Sequence, residues 1–243
     1  MECKEPIRGW KTGKPHTRNG LSLDILGVAE TWWPGVGECN VDNSVFFYSG
    51  NEDPKHSKGV GIIITREILK SVVDFVPYPD RTALLKLRAK PSDLNIIQVY
   101  APTADSPDYD VERFYDEVKL TKKHDVNIIM GDFNAKIGRG KFEEIIGSYG
   151  LGERNERDDR LLQFSQEEGI KITNTAFQLH SRRLYTWKSP ADRPANVIRN
   201  QIDFILINQR FSSTIKRAST YPGADVPSDH VILVSVMQIA LSS

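Results

Sequence analysis

A few carboxylates, one carboxamide, one tyrosine and one histidine stand where apolar runs of this chain begin or end. Glu30 closes the run LDILGVAE, and Tyr100 closes LNIIQVY. Asp132 and Asn134 follow VNIIM in the stretch GDFN, Asp203 sits inside NQIDFIL, and Ser228-Asp229-His230 immediately precede VILVSV. In open α/β sheets, ligand sites gather at strand ends, where loops converge. Oxygen ligands without a cysteine or histidine cluster suit a hard cation such as Mg²⁺ rather than zinc. One histidine beside an aspartate, with a second aspartate able to orient it, suits phosphate-ester chemistry.

Each piece alone has a plainer explanation. Gly-Asp-x-Asn is most often a turn, because Asp and Asn cap their own backbone. Ser-Asp-His before a strand fits an ordinary loop, a strand-end glutamate is usually solvated, and a tyrosine usually packs. Asp203 says more, since an acid inside an apolar strand needs a partner once buried. What points to chemistry is the set and its order: Glu30, Tyr100, Asp132 with Asn134, Asp203, then Asp229 with His230.

The elements that must position these residues are mostly strands. The runs at 23–30, 44–50, 59–65, 71–76, 82–89 and 94–100 are each bounded by Gly, Pro, Asp or Asn. LNIIQVY and VNIIM are continuously apolar, as strands covered on both faces should be. Two helices are legible. After Ser106 as N-cap and Pro107 as first helical residue, Val111, Phe114, Tyr115 and Val118 fall on one stripe. A second helix is expected from an Asn155 cap to a stop at Gly169. Strands resume at IKITNT, LYTW, QIDFILIN, around 212–219 and at VILVSVMQI. Many strands, few helices, no repeat and no linker predict one α/β domain, two packed sheets with helices outside, over residues 21–243. Residues 1–20 are polar and aperiodic and predict loop or disorder.

Composition is ordinary, 39% hydrophobic and 26% charged. Lys+Arg and Asp+Glu both number 32, which argues against bulk polyanion binding but not against a local basic patch. The two cysteines, Cys3 and Cys39, form no CxxC, so no disulfide framework is expected and a reducing compartment fits. The first residues carry no apolar signal region, and VILVSVMQIAL is too short to span a bilayer. A soluble intracellular protein, off the membrane, is expected.

With its motifs in order, the chain resembles the endonuclease/exonuclease/phosphatase superfamily from about Leu21 onward. DILGVAETWWPG, QVYAPTAD, GDFNAKIG, GLGERNERDDRLLQF, YTWKSP, NQIDFILIN and YPGADVPSDH look most like the endonuclease domains of RTE-type LINE retrotransposons and the related craniofacial-development-protein-2-like proteins. The resemblance implies a four-layer α/β/β/α sandwich of two packed mixed sheets and a Mg²⁺-dependent DNA endonuclease, with Mn²⁺ as an alternative metal. It implies Glu30 and Asp229 as metal residues and Asp132 as the group that activates water. Tyr100 and Asn134 would hold the scissile phosphate. His230, oriented by Asp203, would serve a phosphate oxygen in the transition state. A nuclear location would follow from a DNA substrate.

The stretch 181–200 carries Arg182, Arg183, Lys188, Arg193 and Arg199 against a single acid, Asp192. In the family such a hairpin reaches the DNA groove, where these cations would meet phosphates and Trp187 a sugar or base. One departure stands out. The family's opening strand carries Trp-Asn and is followed by a helix, and no Trp-Asn occurs in this chain. Asn19 lies upstream, but Asn19-Gly20 reads as a turn. The first strand, its Asn and the first helix are therefore expected to be missing. That would leave an exposed sheet edge open to a protein partner, and a metal site one group short. The competing readings are a catalytically weak or inactive domesticated domain that binds protein or chromatin, and, last, an inositol or lipid phosphatase.

Overall fold

The computed structural model describes residues 22–52, 58–78, 80–119, 124–154, 156–224 and 228–242. The expectations for residues 1–20 and for Asn155 as a cap lie outside these. β1 (Ile25–Ala29), β2 (Val36–Val41), β3 (Ser44–Ser49) and β4 (Val60–Thr65) form an antiparallel sheet in the order β1-β4-β3-β2. Val45, Phe46 and Phe47 of β3 and Ile62, Ile63 and Ile64 of β4 are all buried, so these two central strands show no alternation. β2 is too polar (VGECNV) to read as a strand. It is recruited by the hairpin to β3, whose turn places Asp42 at a φ of 51°. Among the described residues β1 is an edge strand.

A single turn, α1 (Arg66–Leu69), leads into the second sheet. Its members are β5 (Val72–Tyr78), β6 (Thr82–Leu87), β8 (Leu94–Tyr100), β9 (Val126–Asp132), β10 (Ile170–Ile172) and β13 (Asp203–Asn208), after a short β7 (Ala89–Lys90) and with β11 (Trp187–Lys188) and β12 (Arg199–Asn200) forming a separate hairpin. The order is β10-β13-β9-β8-β6-β5. Only β8 and β9 are parallel, and α2 (Asp108–Val118) makes the crossover that a parallel pair requires. α3 (Glu156–Glu168) ends at Gly169, whose φ of 63° is the expected left-handed stop. β14 (Ile215–Thr220) pairs with β15 (Leu233–Met237), and β16 (Ala240–Leu241) returns to β7. The apolar C-terminal run is thus a half-buried ladder rather than a core strand.

Two cores hold the layers. Phe47, Ile62 and Ile64 of the first sheet pack on Leu85, Ile96, Ile128 and Ile205 of the second. On the second sheet's far side, Ile97, Val99, Ile129, Phe204 and Leu206 meet Phe114, Tyr115 and Val118 of α2 and Leu161, Leu162 and Phe164 of α3. The helical stripe lands where the spacing placed it, but α2 begins one residue later than expected, with Pro107 at the cap. Complete burial of one side chain such as Phe204, 0% exposed, stabilises by roughly 1.5–3 kcal/mol.

The first sheet's outer face carries a smaller cluster. Trp33 meets Phe46 and Tyr48 edge-on at 5.4 and 5.0 Å, with Cys39 and Ile63 buried beside them, and no described helix joins this cluster. Cys39 is disulfide-bonded, where no disulfide framework was expected. Two cysteines without a recognisable spacing gave no hint of a pair. No described helix is long and apolar enough to cross a membrane.

Candidate active site

Alternate residues of a strand share a face. Tyr100 therefore shares a face with Ile96, Asp132 with Ile128, and Asp203 with Ile205, and that face is the one packed between the sheets. At one end of the sandwich the apolar rows give way to a polar row. The parallel ladder sets Tyr100 opposite Asp132, and the antiparallel ladder sets Asp132 opposite Asp203.

His230 closes the row. Its Nδ1 lies 3.0 and 3.3 Å from the two Asp203 oxygens, and its Nε2 is 4.0 Å from Asp132 Oδ2. The imidazole is thus clamped between two carboxylates. Burial pulls His230 toward neutrality, but the bond and charge of Asp203, with Asp132 and Asp229, outweigh it and raise the group to about 9. Asp132, 6% exposed, is pushed up to about 7 by burial and then by Asp203, against the pull of His230. Tyr100 is raised as well, by burial and by its bond to Glu30, so it stays a neutral donor.

The GDFN stretch is both a turn and a part of this site. Asn134, at a φ of 49°, donates its backbone N–H to Asp132 Oδ1 at 2.8 Å. Its Nδ2 donates to the Ala101 carbonyl at 2.9 Å, which ties the turn to the end of β8. Phe133 is buried, with its ring 6.1 Å from that of Phe204. Gly131 is required. It adopts a φ of 143°, and a Cβ there would lie 2.0 Å from the Val99 carbonyl oxygen. Gly131→Ala should therefore separate β8 from β9 beside Asp132 and destabilise the protein by about 2–4 kcal/mol, read by urea denaturation.

The other expected site residues are placed as follows. Glu30, exposed at a φ of 53°, accepts the Tyr100 hydroxyl at 2.6 Å, bridging the two sheets at their ends. Asp229 accepts the Trp187 indole N–H at 2.9 Å. Among the described residues, the acids and histidines that bring ligand atoms within 4.8 Å of one another are Asp132, Asp203 and His230, and neither Glu30 nor Asp229 is in that group. The donor set nonetheless suits a hard divalent cation. The exposed Glu30 carboxylate meets a neutral hydroxyl, whereas Asp132 and Asp203 already share a protonated imidazole, so an oxygen-liganded cation fits better at Glu30.

The basic segment is less free than its sequence suggests. Asp192, whose side chain is 4% exposed, binds Arg199 at 3.1 Å, approaches Lys188 at 3.8 Å and accepts the Ile198 N–H at 2.7 Å. Arg193 is spent on the carbonyls of Pro190 and Asp192. Arg183 donates to the Thr220 carbonyl and lies over the Tyr221 ring. Arg182 is exposed. Trp187 belongs to the site itself: it bonds Asp229 and forms a backbone bridge with His230. Two positioning residues escaped the sequence reading. Thr186, 0% exposed, accepts the N–H groups of Ile202 and Asp203 at 3.0 Å each. Asn174 donates to the Asp203 carbonyl at 3.2 Å. Short polar residues buried beside apolar strands were the signal available.

Two stacked sheets thus carry a carboxylate–imidazole–carboxylate row at their strand ends. The model for the Endonuclease/Exonuclease/phosphatase family matches residues 11–230, and the chain belongs to that family. It is 39% identical over 225 residues to Craniofacial development protein 2 of Bos taurus, covering 91% of this chain and 37% of that protein. The chain thus spans little more than a third of that relative's length. Among solved structures it is similar to the Xenopus laevis APE2 catalytic domain, with a TM-score of 0.66, 18% identity, and 90% of this chain and 84% of that one covered. It is also similar to the endonuclease domain of TRAS1, a telomere-specific non-LTR retrotransposon, with a TM-score of 0.59, 16% identity, and 84% and 86% covered. At such identities the likeness shows the fold.

Proposed function

We propose that the chain is a divalent-metal-dependent DNA endonuclease of retrotransposon descent, acting by hydrolysis of a phosphodiester. The observation that carries this reading is the clamp of His230 between Asp203 and Asp132, in one row with Tyr100. Asp132 takes a proton from the attacking water as the new P–O bond forms. His230, held protonated by Asp203, hydrogen-bonds a phosphate oxygen as negative charge builds there. Tyr100 and Asn134 orient the phosphate, and the bond to the leaving oxygen breaks. Glu30 and Asp229 would hold Mg²⁺, or Mn²⁺ in its place. Bound there, the cation would polarise the phosphoryl oxygen and stabilise the leaving oxygen. The exposed Arg182 and the hairpin of β11 and β12 would face the DNA backbone. The DNA endonucleases among the structural neighbours support the substrate class, and DNA as partner implies a nuclear location.

Supercoiled plasmid should be nicked in the presence of Mg²⁺, and His230→Ala should lower the rate by about a hundredfold or more. Absence of nicking above the His230→Ala background, at any Mg²⁺ or Mn²⁺ concentration, overturns the proposal. A second reading, a catalytically weak domain that binds protein or chromatin, is favoured by the edge position of β1 among the described residues. It requires a partner that protects β1 amides from hydrogen exchange in a protein that does not nick.

A further inference from the structure

The polar row does not stop at Tyr100. In the antiparallel ladder of β6 and β8, Thr82 faces Val99, so Arg81 is the next partner of Tyr100, and the Tyr100 N–H bonds the Arg81 carbonyl at 2.8 Å. Arg81 is the turn residue just before β6, in the alternation that carries Leu85 and Leu87 into the inter-sheet core. It therefore extends the line Asp203, Asp132, Tyr100 by one strand.

Its surroundings are unusual for a cation. The guanidinium donates one bond to the Tyr100 carbonyl at 3.1 Å and lies 5.3 Å from the centre of the Tyr100 ring. Burial lowers its basicity, with Tyr100, Asp110, Asp80 and Glu117 acting against that trend. None of these acids is its ion-pair partner. Asp80 pairs with Lys58 at 3.5 Å, and no described carboxylate lies within 4.0 Å of Arg81. A half-buried guanidinium with donors to spare and no carboxylate beside it is arranged to meet an anion that arrives from outside.

We infer that Arg81 is a phosphate-binding residue, holding the backbone phosphate next to the scissile one while fixing Tyr100 from behind. This rests on the phosphodiesterase reading of the row and adds to it a second phosphate subsite at the turn before β6. A planar fork over an aromatic ring presents two parallel N–H groups, the geometry that phosphate oxygens accept. The subsite would set the register of the strand, so that Tyr100 and Asn134 meet the phosphate to be cut.

The test uses Arg81→Gln, which keeps an N–H for the Tyr100 carbonyl and loses the charge, and Arg81→Lys, which keeps the charge and loses the fork. Binding of a short DNA duplex is measured in EDTA, so that nothing is cut, across a series of salt concentrations. Arg81→Gln should weaken binding roughly tenfold or more and flatten the slope of log Kd against log salt by about 0.9. Arg81→Lys should keep the slope and recover part of the affinity. Unchanged affinity and slope in Arg81→Gln, with wild-type protein still binding and nicking, overturns the inference and leaves the proposed function standing. If wild-type protein binds no DNA, the proposed function fails, and inorganic phosphate decides the subsite. A saturable shift of the Arg81 side-chain NMR signal upholds it, and no shift overturns it.

Discussion

Asp132→Asn is expected to lower nicking by about a thousandfold or more while leaving the fold intact, an effect in the upper range for loss of a positioned proton acceptor. The amide keeps the size of the carboxylate and can still accept the Asn134 N–H, so the turn survives. What it cannot do is take a proton from water. Its effect on stability should depend on pH in a defined direction. Asp132 is pushed up to about 7, well above an ordinary carboxylate, so its ionised form is disfavoured in the folded protein. The cost is absent well below the ordinary Asp value of 3.8, where the acid is neutral both folded and unfolded. It grows as pH rises toward 7 and is fully present above that. In EDTA, Asp132→Asn should therefore gain thermal stability relative to wild type on going from pH 5 to pH 8. A variant that loses activity and also unfolds early at pH 8 would mean that Asp132 serves the fold rather than the reaction.

How legible all this was in the sequence follows from where each residue gets its partners. β8 and β9 could be read because both of their faces are buried, leaving unbroken apolar runs that end at Tyr100 and Asp132. β2 could not, because its polar sequence becomes a strand only through pairing with β3. At GDFN the turn and the candidate site coincide, since the Asx-type turn holds Asp132 beside Asp203 and His230. The basic stretch misled in the opposite sense. Counted along the chain, Asp192 is one acid among five cations, but folded it is the point on which Arg199 and Lys188 converge. Trp187 looked like a base-stacking residue, and no spacing rule could join it to an acid 42 residues away. Short-range chemistry was readable, whereas pairings between distant loops needed the sheet register. Arg81 shows the same limit, since nothing near it in sequence announces that it completes a row across three other strands.

The second large effect concerns pH. Asp132 must be ionised to accept a proton and His230 protonated to donate a hydrogen bond. With the two at about 7 and about 9, activity should rise through the first value, fall through the second and peak between them. Asp203 raises both groups, by repulsion of the Asp132 charge and by its bond to His230. Asp203→Asn should therefore move both limbs to lower pH together, in addition to cutting the rate by about a hundredfold through loss of the imidazole's orientation. Movement of the alkaline limb alone would mean that the Asp132–Asp203 repulsion is already neutralised in the working enzyme. A metal titration separates the two places a cation can occupy. Held among Asp132, Asp203 and His230, it would favour the Asp132 carboxylate and drag the acidic limb downward as Mg²⁺ rises. Held at Glu30, on the far side of the Tyr100 hydroxyl, it would raise the rate and leave that limb nearly where it was. The expected result is the second. Glu30 is exposed and its carboxylate meets a neutral hydroxyl, whereas the cluster already holds a protonated imidazole that a cation would have to displace.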